Sequence, residues 1–144
     1  MRAARNAKRA LLIISDGGDN HSRYKWRDIS RLAREANTQL YIVGTFDPLE
    51  NRGRSEEEFN GPSLLSELTE LTGGRAFDVN SAKELPDIAI KIGAELRNQY
   101  TLGYRPSNKA HDARWRKIKI KVHAGKAPPP LSVFAKTGYY ASNR

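Results

Sequence analysis

Apolar residues fall along this chain in two alternating rhythms. Ala10-Leu11-Leu12-Ile13-Ile14 is a run of five without a polar interruption, the pattern of a strand buried on both faces of a parallel sheet. From Trp26 to Asn37 the apolar positions are Ile29, Leu32, Ala33 and Ala36, spaced i, i+3, i+4, i+7, with Arg27, Asp28, Arg31, Arg34 and Glu35 on the other side. That spacing predicts an amphipathic helix. Gln39 to Thr45, rich in β-branched and aromatic residues, predicts a second strand. Phe46 to Gly61 holds Glu56-Glu57-Glu58 without periodicity and predicts a surface loop. Pro62 then opens a helix with a Leu64, Leu65, Leu68, Leu71 stripe that stops at Gly73-Gly74. Arg75 to Val79 is a third short strand. Ser81 and Glu84 form an S-x-x-E capping box ahead of Leu85, Ile88, Ile92 and Leu96. Pro86 conflicts with a regular first turn at Ser81, so a tight turn followed by regular helix from about Pro86 is expected.

Three strand-helix units in succession imply an α/β fold with a parallel sheet and right-handed crossovers. After Asn98 the style changes. Tyr100 to Tyr104, Trp115 to His123 and Leu131 to Lys136 are strand candidates with turn-rich loops between them, which predicts a short antiparallel appendage. In the second of these, Ile118, Ile120 and Val122 alternate with Lys117, Lys119 and Lys121, one face buried and one wet.

Candidate chemistry gathers where the first strand ends, at Ser15-Asp16-Gly17-Gly18-Asp19-Asn20. Ligands of open α/β sheets bind at the carboxyl ends of the strands. Gly17 and Gly18 let the backbone approach whatever Asp16 and Asp19 face, as a hard cation or polar ligand requires. The same residues are also good turn chemistry. His21 is the one histidine nearby; His111 and His123 sit far off in the tail and read as loop and strand-end residues. With no nucleophile-base pair in this stretch, no catalytic residue is assigned and the chain is expected to be non-catalytic. Tyr24 and Trp26 read as packing residues at a helix start, and Tyr139 and Tyr140 as anchors of the tail.

The formal net charge of +9 is localised. Residues 1–9 carry four positive charges, residues 10–104 sum to −4, and residues 105–126 sum to +7. A basic strand flanking Trp115, with Arg114 and Arg116, suits a phosphate backbone. Alternating lysines also protect a sheet edge, so nucleic acid is the alternative reading and not the expected partner. The absence of cysteine excludes a disulfide scaffold and a thiolate metal site. No window reaches the length of an apolar membrane span, and no export signal is recognised, so a soluble chain is expected.

Three stretches together carry a family resemblance: Leu11-Leu12-Ile13-Ile14-Ser15-Asp16-Gly17-Gly18-Asp19-Asn20; Arg31-Leu32-Ala33-Arg34-Glu35-Ala36-Asn37 before Leu40-Tyr41-Ile42-Val43-Gly44; and Leu71-Thr72-Gly73-Gly74-Arg75-Ala76-Phe77. With Leu96 to Pro106 and a closing Lys136-Thr137-Gly138-Tyr139-Tyr140-Ala141, the chain resembles the carboxyl-terminal half of a von Willebrand factor A-like domain of bacterial type. The resemblance implies half of a doubly wound, Rossmann-like parallel sheet with three helices over residues 1–98, and a β extension packed on it over residues 99–144. It implies a metal-ion-dependent adhesion site in which Asp16 matches the Asp after the fourth strand. The family's D-x-S-x-S motif is absent from this chain, so the site is incomplete and Mg²⁺ would be held weakly by Asp16 alone.

The expected function is therefore a protein-interaction module. In the family's strand order the strand Leu11 to Ile14 lies mid-sheet, so here it presents a bare apolar edge. The expected cover is a second copy, giving a homodimer, with an exchanged carboxyl-terminal segment or another chain as the other candidates. Full-length relatives are associated with the cell envelope or exterior, as the resemblance implies.

Overall fold

The computed structural model describes residues 8–15, 24–44, 56–123 and 131–142, and for 56–62 the backbone only. Its elements run β1 (Ala10–Ser15), α1 (Trp26–Glu35), β2 (Gln39–Gly44), α2 (Glu56–Thr72), β3 (Arg75–Asp78), α3 (Leu85–Arg97), β4 (Trp115–Lys117) and β5 (Gly138–Tyr140). β1, β2 and β3 form a sheet in that order, both pairings parallel. β4 and β5 form a separate antiparallel pair. The protein is α/β, as the alternating rhythms predict.

Strand alternation sorts β2 between two layers. Tyr41 and Val43 point to the face covered by α3, where they join Val79, Ile88 and Ile92 in the core, with Phe77 and Leu85 packed against it. Ile42, only 1 % exposed, points to the opposite face. There α2 lies across β2 and β3 with Leu68, Thr69, Leu71 and Thr72 buried. Thr72 ties the layers together, its hydroxyl accepting from the Leu40 N–H at 3.0 Å. Among the charged residues on the α3 side, Arg75 pairs with Glu95, and its guanidinium lies 4.9 Å from the Phe77 ring.

The helix ends follow the local chemistry. Ser81 caps a tight turn at Ala82–Glu84, accepting from the Lys83 N–H at 3.3 Å, and α3 then begins with Pro86 in its first turn. α2 begins six residues earlier than its Pro62 start signal, at Glu56, so residues 56–61 belong to a helix and not to the expected loop. Glu56, Glu57 and Glu58 fall in its first turn, where the positive end of the helix dipole favours acids.

Burial departs from the hydrophobic pattern in β1 and α1. The five-residue apolar run is not buried on both faces: Leu11, Leu12 and Ile14 are 40 %, 51 % and 65 % exposed. β1 is an edge strand, with β2 on one side and no described strand on the other. In α1 the buried residues are Ser30 and Ala33, while Leu32 is exposed. Ser30 satisfies its hydroxyl on the Trp26 carbonyl at 3.0 Å, so it can sit against the neighbouring helix without an unpaired polar group.

The tail also differs from expectation. Tyr100 to Tyr104 forms no strand, and Tyr100, Leu102 and Tyr104 are exposed. Residues 131–136 form none either; the strand that pairs with β4 lies further on, at Gly138–Tyr140. Of the expected strand Trp115 to His123 only Trp115–Lys117 forms; beyond it Ile118 and Ile120 are half-buried instead of buried, and Val122 is exposed. The tail straps the amino end of the parallel sheet: Lys136 Nζ donates to the Ala36 carbonyl at 3.2 Å, and the Phe134 ring lies 4.5 Å from the Arg75 guanidinium. The small sheet rests on α1, where the Arg34 guanidinium lies 5.4 Å from the Trp115 ring.

Tyr41 gives the fold a pH dependence. Burial first, and then the Glu95 carboxylate, raises its hydroxyl above the ordinary value of 10.0. Below that value both folded and unfolded tyrosine are protonated and the full stability is present. As pH rises through it the unfolded form ionises first, and stability declines until the folded group also ionises. Denaturant midpoints measured at about pH 9 and about pH 11 should therefore fall more for the parent than for Tyr41→Phe; an equal fall in both would show that Tyr41 is not the group responsible.

Candidate functional site

Two parts of the parallel sheet are candidate sites. The first is its carboxyl end, where β1, β2 and β3 stop at Ser15, Gly44 and Asp78. Val79 N–H donates to the Gly44 carbonyl at 2.8 Å and holds the last two together. Beside them a cleft of about 280 Å³ is lined by Ile42, Gly44, Ser63, Leu65, Ala76 and Asp78. Asp16, the metal ligand implied by the resemblance, lies outside the described residues, as do Asp19 and His21. It follows Ser15 directly in the chain.

The described carboxyl end supplies one strand-end carboxylate, Asp78, with the hydroxyls of Ser63 and Ser66 near the cleft. Among the described residues no three His, Cys, Asp or Glu come together as a metal-holding group. Mg²⁺ takes about six oxygens in near-octahedral geometry, and these residues do not by themselves fit it. The sequence pattern assigns Asp78 no role. An acidic residue closing a strand of a parallel sheet was the available signal, and it was weaker than the Gly-rich turn after β1.

The second part is the lateral edge formed by β1. The two edges of the sheet are treated differently. Beside β3, Val133, Phe134 and Ala135 of the tail line a shared cleft with Arg75 and Ala76. Along β1, no described strand pairs on the side away from β2. The six-residue strand Ala10–Ser15 carries no charged residue, no proline and none of the lysines with which exposed edges are usually protected. Its register with β2 sets Leu12 and Ile14 on the α3 face, opposite Tyr41 and Val43, and Leu11 and Ile13 on the other. Apolar side chains thus flank the open ladder on both faces.

The other candidates from the sequence are accounted for individually. Trp26 is half-buried at the start of α1, and Tyr24 is exposed before it. Tyr140 meets Trp115 edge-on at 5.0 Å and Tyr139 meets Tyr104 at 6.4 Å, so both anchor the tail. His111 and His123 are exposed. No described helix is long and apolar enough to cross a membrane.

No family model matches the sequence, and no curated protein matches it. Among solved structures, the chain is similar to an uncharacterized membrane spanning protein from Vibrio fischeri, at 23 % identity and a TM-score of 0.46 over 60 % of this chain. The match covers 46 % of that protein, less than half its length.

Proposed function

We propose that this chain is a non-catalytic protein-interaction module of von Willebrand factor A type, with an incomplete metal site, that associates with a second copy of itself through β1. One observation carries the reading: an uncharged, apolar strand stands at the open edge of the sheet with Leu11, Leu12 and Ile14 exposed. An exposed ladder of this kind is a template for another strand.

The second copy is favoured by self-complementarity. A two-fold axis beside β1 sets the two β1 strands antiparallel and joins two three-stranded sheets into one of six. Each apolar face of β1 then continues into the same face of its partner, and no charge is buried. The half-domain reading rests on the residue pattern of the sequence. Asp16, the residue after β1 in the sequence, is the ligand that the resemblance assigns to the incomplete metal site.

Sedimentation velocity over a micromolar concentration series tests the proposal. The expected result is a reversible dimer. A folded monomer persisting at high micromolar concentration overturns it.

A further inference from the structure

A second surface carries an inference independent of the open edge. In the tail, Lys117, Lys119 and Lys121 are exposed while Ile118 and Ile120 between them are half-buried, so exposure alternates along the segment and the three lysines share its wet side. None of the three has an ion-pair partner among the described residues. The one acid of this region, Asp112, is consumed by other groups: it accepts from the Arg114 N–H at 3.1 Å and pairs with the Arg116 guanidinium at 2.8 Å.

The row is not explained as protection of a sheet edge. β4 pairs with β5 only from Trp115 to Lys117, and the last ladder bond runs from the Ile118 N–H to the Thr137 carbonyl. Lys119 and Lys121 lie beyond it, where no ladder forms among the described residues. Three cations on the wet side of one short segment, none with an ion-pair partner among the described residues, match a polyanion. A lipid surface is a poorer match, because peripheral binding needs apolar side chains to insert beside the charges, and Ile118 and Ile120, which alternate with these lysines, are half-buried.

We propose that the row Lys117, Lys119 and Lys121 binds the phosphodiester backbone of nucleic acid, without reading its bases. Trp115 is unavailable as a stacking platform. Its ring is held by Tyr140 and Arg34, and the backbone at Gly138 presses so close to it that a Cβ there would fall 2.5 Å from the ring. The attraction is therefore electrostatic, sequence-independent and steeply dependent on salt.

Fluorescence anisotropy of labelled oligothymidylate and oligoadenylate across a salt series provides the test, with the full chain and a Lys117→Gln, Lys119→Gln, Lys121→Gln variant. Because all three side chains are exposed, the variant should keep the parent's circular dichroism and melting temperature. The parent should bind both oligonucleotides equally at low salt. In the variant the slope of log K against log salt should shrink by about 2, from roughly 0.7 per lost contact on a single strand. An unchanged slope overturns the proposal. So does tighter binding to phosphatidylserine vesicles than to either oligonucleotide, or no binding at low salt.

Discussion

Gly74→Ala is expected to destabilise the fold by about 3 kcal/mol, read as a lower denaturant midpoint at unchanged slope. A Cβ at this position would fall onto the Leu40 carbonyl oxygen and lie 2.7 Å from the carbonyl carbon. Both are backbone atoms, so no side chain can rotate away. Nor can Leu40 retreat, since it pairs with Leu11 on one side and donates its N–H to Thr72 on the other. Gly74 is itself held by its N–H on the Thr69 carbonyl at 2.9 Å. The junction of α2 and β3 thus has no slack, and the substitution must push β2 and β3 apart. Gly93→Ala, in the middle of α3, provides the contrast. There the nearest atoms are the Arg97 guanidinium, at 3.5 Å, so the alanine fits and should stabilise the helix by about 0.5–1 kcal/mol. Equal loss in both variants would show that the close approach at Gly74 is not what matters.

The second large effect is expected at the open edge. Leu12→Lys and Ile14→Lys each replace an apolar contact across the proposed two-fold axis and bring a pair of like charges to the seam. The lost burial and the repulsion together amount to about 2–3 kcal/mol, or about a hundredfold weaker dimer. The folded monomer should tolerate both changes, because these side chains are already 51 % and 65 % exposed. Sedimentation equilibrium separates the outcomes. A monomer with the parent's circular dichroism is expected, and a dimer of undiminished affinity in both variants would remove β1 from the interface.

Much of the architecture was legible along the chain. The parallel pairing of Leu11 to Ile14 with Leu40 to Val43, the tight turn at Ser81 followed by helix from Pro86, and the stop at Gly73 with φ of 78° all appear where the residues place them. These are properties of short stretches: a run of β-branched residues, a hydroxyl two residues before a free N–H, a glycine free to turn left-handed. The site was less legible. Asp78 reaches the carboxyl end of the sheet beside Gly44 only because β3 lies next to β2, and no local signal marks that neighbour. Asp16 stands outside the described residues, so its reading remains with the resemblance.

The order of strands and helices up to Asn98 was determined by the sequence alone, because periodicity, capping residues and turn chemistry act within a few residues of one another. Tertiary structure decided which apolar residues are covered. Leu32 and Ile14 satisfy the hydrophobic pattern and yet are exposed, while Ser30 is buried, because burial depends on what another layer brings opposite. It also decided the tail, where Gly138–Tyr140 and not Leu131 to Lys136 pairs with β4. Gly138 is the residue without a side chain that lets the backbone lie against Arg116 and the Trp115 ring, a fit set by two segments distant in the chain.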